Sequence, residues 1–242
     1  YNLAIIFKRE PFPNKKARQA MAWCIDRARF CRTTLQGLVE PTCLMWPKHS
    51  WAYFPELEGK IGFDLTKAQS LLKEIGLGNG FETEIVVSSR RYPGSSELAQ
   101  IIQADAKKIG VNIKVVDLEP ARYDAQVVVK GDHTMTIIAY GRLNRDPGTL
   151  VTAAKAFYTE KEGTWTHFES AEYDQLRKEL QSTLDREKRK VTARKIQELA
   201  LDECFTNSVA FQQRAWAYAS YVKGFAYDMD NAPFVAELWL DK

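Results

Sequence analysis

The feature that most constrains the fold is a strand–helix–strand pattern over residues 81–118. A β-like run over 81–89 is followed by a helical pattern over 95–109, which Gly110 ends, and by a second β-like run over 111–118. The unit has the length of a crossover connection, and such connections join parallel strands. The sequence therefore predicts a sheet that contains a parallel pair.

The rest of the chain interleaves the same two element types. Further strands are predicted over 2–7 and 134–139, with extended segments over 209–211, 215–219 and 234–240. Helices are predicted over 15–32, 64–75, 120–130, 146–158, 171–184 and 186–205. Residues 37–62 are rich in proline and aromatic residues without a hydrophobic period, which indicates an ordered loop. The predicted class is α/β, a mixed sheet flanked by helices.

Composition narrows the class of protein. Of the 242 residues, 45% are hydrophobic, enough for a substantial core, and no apolar run approaches the roughly 18 residues of a membrane-spanning helix. The net charge is +3, from charges of both signs spread along the chain, so no nucleic-acid partner is predicted. The chain opens at Tyr1 in a β-like run, which predicts that a leader has been removed or that the chain is an excerpt.

Cysteine and histidine spacing predicts no metal site. There is no CxxC pair, and the three histidines are scattered, so neither a metal nor another cofactor is predicted. Cys24 and Cys31 lie in one predicted helix, about 10.5 Å apart along its axis, beyond disulfide reach. Both are expected to be small buried hydrophobes, while a bridge from one of them to Cys43 or Cys204 stays open.

No catalytic residue is predicted. An enzyme would need a nucleophile with its base, or paired carboxylates in a defined setting, and neither can be argued from this sequence. Asp26 is interpreted as a salt-bridging or capping residue, and Asp146, before Pro147, as a helix N-cap.

Two loops that follow strands are better candidates for a site, because α/β sheets place their ligands there. The first loop brings Arg90, Arg91 and Tyr92 to the start of a helix, a set suited to an anion. The alternative is a solvated turn whose arginines face water. The second loop offers the ring of Tyr140 for stacking and polar groups for hydrogen bonding, or else is a surface loop capped by Asp146.

Several motifs occur along the chain in a fixed order. They are 11–27 with Gly37 and Pro41, 64–76, 99–111, Asp146-Pro147, Tyr173-Asp174, the helix with Arg194, Gln197 and Glu198, and 222–225. This order resembles that of one family, the oligopeptide- and dipeptide-type solute-binding proteins of ABC transporters. The resemblance covers almost the whole chain.

The resemblance implies a lobe of a type II periplasmic binding protein. Residues 1–221 would be the C-terminal ligand-binding lobe, and residues 222–242 a return segment toward an N-terminal lobe. It further implies export to the periplasm, with a signal peptide outside this chain, and delivery of peptides or peptide-like compounds to a membrane permease by lobe closure.

The two loops and the resemblance together predict a ligand site of seven residues. These are Arg90, Arg91, Tyr92, Tyr140, Arg142, Leu143 and Asn144. The resemblance itself bears on the arginine pair, Tyr140 and Leu143. Arg90 or Arg91 takes the place of the arginine that meets a peptide carboxylate, and Tyr140 that of a pocket aromatic. Leu143 stands where dipeptide-binding members have an aspartate for the α-ammonium, and an unpaired buried cation would cost several kcal/mol. We hypothesise that the ligand lacks a free α-amine at this point, or that the other lobe supplies the acid.

Two other functions stay open on the sequence. A non-peptide cargo, such as an oligosaccharide, an opine or a metal chelate, is one, since the aromatics of 46–54 can stack a sugar, although they can equally pack as loop core. The other is a ligand-sensing domain of a transcription regulator, which predicts a DNA-binding segment upstream.

Overall fold

Strands and helices alternate along the chain, as the sequence predicts. The computed structural model describes residues 1–139, 146–154, 157, 166–212, 217–227 and 233–241. The strands are β1 (Asn2–Ile5), β2 (Glu82–Val87), β3 (Asn112–Asp117), β4 (Met135–Ile138), β5 (Thr206–Ser208), β6 (Val222–Lys223), β7 (Ala226–Tyr227), β8 (Pro233–Phe234) and β9 (Trp239–Leu240). The helices are α1 (Lys15–Trp23), α2 (Arg27–Thr33), α3 (Leu65–Glu74), α4 (Ser95–Lys107), α5 (Pro120–Tyr123), α6 (Gly148–Ala153), α7 (Ala171–Ser182) and α8 (Arg186–Glu203).

The central sheet is mixed, in the order β3-β2-β4-β1-β5. Strand β2 pairs in parallel with β3 and β4, whereas β1 is antiparallel to both β4 and β5. The parallel pair predicted from residues 81–118 is therefore confirmed, as is the α/β class. Gly110 ends the crossover helix as predicted, and its neighbour Gly80 is obligatory, since an added Cβ there would lie 1.9 Å from the Gly110 carbonyl oxygen.

Both faces of the sheet are covered, which explains the near-continuous apolar strands. Alternate residues such as Ile85 and Val87 face the largest core cluster, under α1 to α4, while Val86 between them faces a smaller cluster with Tyr123 and Val127. Side chains on successive strand positions point to opposite faces, so one strand contributes to two cores. The sheet is the middle layer of the fold.

A further core cluster lies under α7 and α8. Their buried faces pack with Phe168 and Phe205, and with residues of the loop 37–62. Trp46 is fully buried in that loop and donates its indole N–H to the Pro147 carbonyl oxygen at 3.1 Å. Phe54 is buried in the same cluster, so these two aromatics pack as loop core and do not offer a sugar-stacking surface.

The helix predicted over 15–32 is wrong as a single helix, because the chain breaks into α1 and α2. The Cys24 N–H still closes α1 by bonding to Ala20 and Met21, but the Asp26 carboxylate accepts the Arg29 N–H at 2.9 Å and starts a new helix. An aspartate is more favourable at a helix N-terminus than in a helix interior. A new helix therefore starts at Asp26 instead of α1 continuing through it. Asp26 is thus the capping residue that the sequence allowed.

The four cysteines are buried thiols, and none forms a disulfide. Cys24 is the C-cap of α1 and Cys31 lies in α2, so the spacing argument along one helix does not apply, although both lie in the same core cluster. Burial raises the pKa of the Cys24 and Cys204 thiols to about 12, which keeps them protonated. The expectation of small buried hydrophobes is confirmed for Cys24 and Cys31.

Several element ends differ from the sequence prediction by a few residues. The helix predicted from Asp146 begins at Gly148, whose N–H the Asp146 carboxylate accepts at 2.9 Å, so that Asp146 caps from one position earlier. The predicted helix 120–130 is short α5 followed by a π-helix, Asp124–Val129. A 3₁₀ turn, Val235–Glu237, interrupts the extended segment 234–240.

The region we call the tail, residues 217–241, does not join the central sheet in its described part. Strands β6 and β9 form one two-stranded ribbon, and β7 and β8 form another. Most of its large apolar side chains in the described part are exposed, for example Trp239 at 55%. None of the helices within the described ranges has the length and apolar content required to cross a membrane.

Candidate ligand-binding site

The carboxyl ends of β2, β3, β4 and β5 meet at one edge of the sheet, because these four strands run in the same direction. Loops that leave such an edge are the usual place of a ligand site in α/β proteins. The segments at this edge are 88–94, 118–119, 139 and 209–212. The first of them carries the arginine pair that the sequence singled out.

A tight turn fixes the segment 88–94. The carbonyl oxygen of Ser88 accepts the N–H groups of Arg91 and Tyr92, at 3.1 and 2.8 Å. Gly94 then adopts a left-handed conformation (φ 89°) as the N-cap of α4, which disfavours any side chain there. The turn holds Arg90 and Arg91 beyond the end of β2, at the start of a helix.

The two arginines differ in how firmly they are held. The Arg90 side chain is 74% exposed and pairs at 2.9 Å with Glu119, which is itself 59% exposed. Arg91 pairs with Asp124 and also donates its Nε–H to the Tyr92 hydroxyl at 3.1 Å. Exposed ion pairs contribute only about 0–1 kcal/mol, so the Arg90 guanidinium can exchange Glu119 for the carboxylate of a ligand at little cost.

Tyr92 connects the loop to the sheet. Its ring meets the Tyr123 ring edge to face, with centroids 6.0 Å apart. The Tyr123 hydroxyl lies 2.8 Å from Thr136 Oγ1, which in turn donates to the Val86 carbonyl oxygen. Burial raises the pKa of the Tyr123 phenol well above its ordinary value, so it stays a neutral hydrogen-bonding group. Tyr92 is therefore a half-buried ring on a fixed support beside both arginines.

A small cavity of about 30 Å³ lies at the same edge, between the ends of β4 and β5. Its polar lining includes Asn2, Thr42, Ser208 and Gln212. Ser208 donates its hydroxyl proton to Asn2 Oδ1 at 2.9 Å. The volume suits about one water molecule. The cavity therefore provides hydrogen-bonding groups at this edge of the sheet, but it is too small to hold a ligand by itself.

The second predicted loop falls largely outside the described residues. Tyr140, Arg142, Leu143 and Asn144 belong to the segment 140–145, which the described ranges leave out. Their predicted roles therefore stay predictions. The end of that loop is described, and there the Asp146 carboxylate pairs with Arg189.

Asp146 is a structural residue. Burial tends to raise the pKa of its carboxyl group, but the hydrogen bonds from Arg189 and the Gly148 N–H outweigh burial and lower that pKa. The carboxylate is thus ionised, and it is already bonded to the Gly148 N–H at the start of α6 and to Arg189 of α8. It is therefore not available to a ligand.

Sequence reasoning missed the acidic partners of the arginines. Glu119 and Asp124 lie 29 and 33 residues after Arg90 and Arg91, beyond the end of β3. The available signal was the parallel pairing itself, because it brings the segments after β2 and β3 to the same edge. The described residues contain no group of three or more His, Cys, Asp or Glu side chains that could hold a metal ion.

Comparison with known proteins gives consistent results. Residues 1–159 match the family described as "Bacterial extracellular solute-binding proteins, family 5 Middle". The chain is 26% identical over 234 residues to heme-binding protein A of Haemophilus influenzae, and 25% identical over 228 residues to the dipeptide-binding protein of Escherichia coli. These alignments cover 93% and 91% of the chain, but 42% of each relative, so the chain spans less than half of their length.

A solved structure shows the same fold. The dipeptide-binding protein from Pseudoalteromonas sp. SM9913, in complex with Met-Leu, superposes with a TM-score of 0.87 at 23% identity. The match covers 99% of this chain and 48% of that protein. The mixed sheet with its flanking helices is thus a unit found within a protein about twice as long.

Proposed function

Because the chain belongs to family 5 of the bacterial extracellular solute-binding proteins, we propose that it is the C-terminal ligand-binding lobe of the binding component of an ABC importer. The protein binds a peptide or peptide-like compound between two lobes, closes on it without chemical conversion, and delivers it to permease subunits in the membrane. It acts outside the cytoplasm, in the periplasm. The dipeptide-binding relatives support a peptide as cargo.

The observation that carries this proposal is the arginine turn at the carboxyl edge of the sheet. Arg90 points a guanidinium into solvent with one exposed and replaceable partner, Glu119. A guanidinium matches the planar carboxylate of a peptide C-terminus, with two parallel hydrogen bonds. Arg90 is therefore assigned to the ligand carboxylate, whereas Arg91, held by Asp124 and Tyr92, positions the turn.

Residues 222–242, which make up most of the tail, fit the role of a return segment toward an N-terminal lobe, with residues 1–221 as the lobe itself. Their exposed aromatic side chains, Tyr227, Phe234 and Trp239 among them, form the kind of apolar surface that a partner covers. A relative more than twice the length of this chain has room for such a partner within the same protein.

The carboxylate assignment is tested by isothermal titration of the full-length protein with alanyl-leucine and with its C-terminal amide. Arg90→Ala should weaken binding of the free acid roughly tenfold to a hundredfold, because a hydrogen bond to a charged group contributes about 1.5–3 kcal/mol. Binding of the amide should change little. Arg91→Ala is the matched control and should have the smaller effect. Equal loss for acid and amide would contradict the assignment.

The replacement of an acid by Leu143 is tested with the N-acetylated peptide. If the ligand carries no free α-amine at this point, acetylation should leave the affinity unchanged or raise it, because no ammonium has to be buried unpaired. A large loss on acetylation would show instead that an acid elsewhere, such as one from the N-terminal lobe, meets the ammonium.

A further inference from the structure

A second cavity lies apart from the arginine turn, between the start of α2, residues 41–43 and the turn 58–63. Its volume is about 230 Å³, and none of Arg90, Arg91 and Tyr92 lines it. At about 30 Å³ per water molecule, it holds roughly seven or eight waters, or one small organic molecule. Its wall contains three charged side chains, Asp26, Arg27 and Glu58, and the last two make it more than a packing defect.

The first of these two is Arg27, which is buried. Its Nε donates to the Ser208 carbonyl oxygen at 2.8 Å, and its Nη1 makes two longer bonds of 3.4 Å to the carbonyl oxygens of Ala22 and Ile25. Among the described residues no hydrogen bond uses Nη2, and no carboxylate lies within ion-pair distance of Arg27. A buried arginine normally has a charged partner, so this cavity wall carries a positive charge without one.

The second is Glu58, which is half-buried across the same cavity. Thr42 donates its hydroxyl proton to Glu58 Oε1 at 2.6 Å, and the Cys43 N–H donates to Oε2 at 3.3 Å. These bonds fix the carboxylate in place, and no cation pairs with it in the part of the chain that the structure describes. Arg27 and Glu58 thus present opposite charges to one space without pairing with each other.

The remaining wall is mainly apolar. Ile25, Ile61 and Phe63 line the cavity, and Ala28 lies at its exposed side. The other acid in the lining, Asp26, uses its carboxylate to cap α2, where it accepts the Arg29 N–H. Arg27 and Glu58 are hydrogen-bonded but have no ion-pair partner among the described residues, and they lie beside an aliphatic and aromatic surface.

We propose that this cavity is a second ligand site, for a small aliphatic zwitterion such as a free α-amino acid. The ligand carboxylate pairs with Arg27 Nη2, the ammonium with Glu58, and the aliphatic side chain lies against Ile25 and Ile61. A ligand with a single charge would satisfy one of the two groups and leave the other unpaired, which is costly in a partly buried place. The site therefore selects for both charges together.

The probes are L-leucine and two analogues that each lack one charge, isovalerate and isopentylamine. Binding to the full-length protein is followed by heteronuclear NMR, with the backbone signals of Thr42, Cys43 and Gly59 as reporters. L-leucine should shift these signals saturably in the millimolar range, and each analogue should bind at least roughly tenfold more weakly.

Two variants separate a ligand site from a structural role of the charges. Glu58→Gln keeps the volume and a hydrogen-bond acceptor, and should remove the preference for L-leucine over isovalerate. Ala28→Trp leaves both charges in place but fills the exposed side of the cavity, and should abolish binding while the melting temperature stays within a few degrees. Arg90→Ala, which changes the proposed peptide site alone, should leave L-leucine binding unchanged.

Three results would overturn the proposal. One is isovalerate binding as tightly as L-leucine, and another is L-leucine binding that Glu58→Gln or Ala28→Trp leaves intact. The third is the absence of shifts at the three reporters at millimolar L-leucine. The proposed peptide site is tested separately, by peptide binding to Arg90→Ala. A negative result for one of the two sites therefore leaves the test of the other unaffected.

Discussion

The body of the molecule, residues 1–212, and the tail differ in where their apolar side chains find partners. The body buries its large side chains in three clusters of its own, and Leu3, Ile5 and Phe205 are fully enclosed. The tail has comparable side chains, but Trp239 and Val235 are 55% and 68% exposed. Its strands pair only with each other among the described residues.

This difference shows which part of the chain carries its own stability. Burial of apolar surface stabilises a fold at about 25 cal/mol per Å², so a side chain contributes only where it is enclosed. The body meets that condition by itself. The tail does not, although its Tyr218, Phe225 and Tyr227 rings touch one another, and this supports its proposed role as a segment that packs on another lobe.

The largest expected effect comes from truncating one enclosed ring in the body. Phe205 stacks on Phe168 at a centroid distance of 4.4 Å and also contacts the Tyr173 ring. Phe205→Ala should lower the free energy of unfolding of this chain by about 3–5 kcal/mol, through lost burial and the cavity left behind. Urea unfolding measures it, and Trp239→Ala is the control, with an expected change under about 0.5 kcal/mol. Similar losses at both positions would remove the distinction between body and tail.

An intermediate effect is expected from His133, between the π-helix and β4 in the body. Both of its ring nitrogens are buried without a hydrogen-bond partner in the described structure. Burial first, and then the nearby His167 and Arg9, lower its pKa to about 4, whereas Asp132 opposes them. The folded state thus prefers the neutral ring, and stability should be lost as the pH falls from about 6.5 toward 4.

The loss can be measured by urea unfolding at two pH values. Between about pH 7.5 and pH 5, His133 takes up a proton in the unfolded chain but stays neutral in the folded one. This difference should lower the free energy of unfolding by about 2 kcal/mol. His133→Leu should remove that part of the pH dependence while it leaves the body folded. If the variant loses stability with falling pH as steeply as the parent, His133 is not the group responsible.

The smallest expected effect on stability belongs to Arg90, although its proposed effect on ligand affinity is large. Its ion pair with Glu119 is exposed on both sides, so Arg90→Ala should change the free energy of unfolding by less than about 0.5 kcal/mol. Thermal unfolding of the unliganded protein checks this. A large loss of stability would mean that the arginine holds the body together, and that weaker peptide binding by the variant reports damage to the fold.

Local patterns were sufficient for the elements that hold the site. Helix starts were predicted at residues 15 and 64, and in the structure Asn14 and Asp64 accept a backbone N–H in the first turn of the helix that follows. The strand–helix–strand unit was predicted because hydrophobic period and glycine position act within a few residues. The break at Cys24–Asp26 was missed, because a continuous apolar stripe and a capping aspartate favour different structures there, and only packing decides between them.

Pairings across the chain were beyond the reach of these patterns. The sequence placed Arg90 and Arg91 at the correct edge of the sheet. It did not identify their ion-pair partners, Glu119 and Asp124, because these are brought close by the parallel register of β2 and β3. The loop 37–62 was recognised as ordered, yet whether Trp46 stacks a ligand or fills a core depends on helices about 100 residues later.

By itself the sequence determined the α/β class, most of the elements and the family, because those follow from local periodicity and from motifs in a fixed order. The tertiary structure alone decided which charges are paired and which are not. The sequence analysis assigned no role to the side chains of Arg27 and Glu58. Arg27 is buried with a hydrogen bond to the β5 residue Ser208, and both side chains line one cavity. Burial and pairing are properties of residues brought together from distant parts of the chain, and no local pattern contains them.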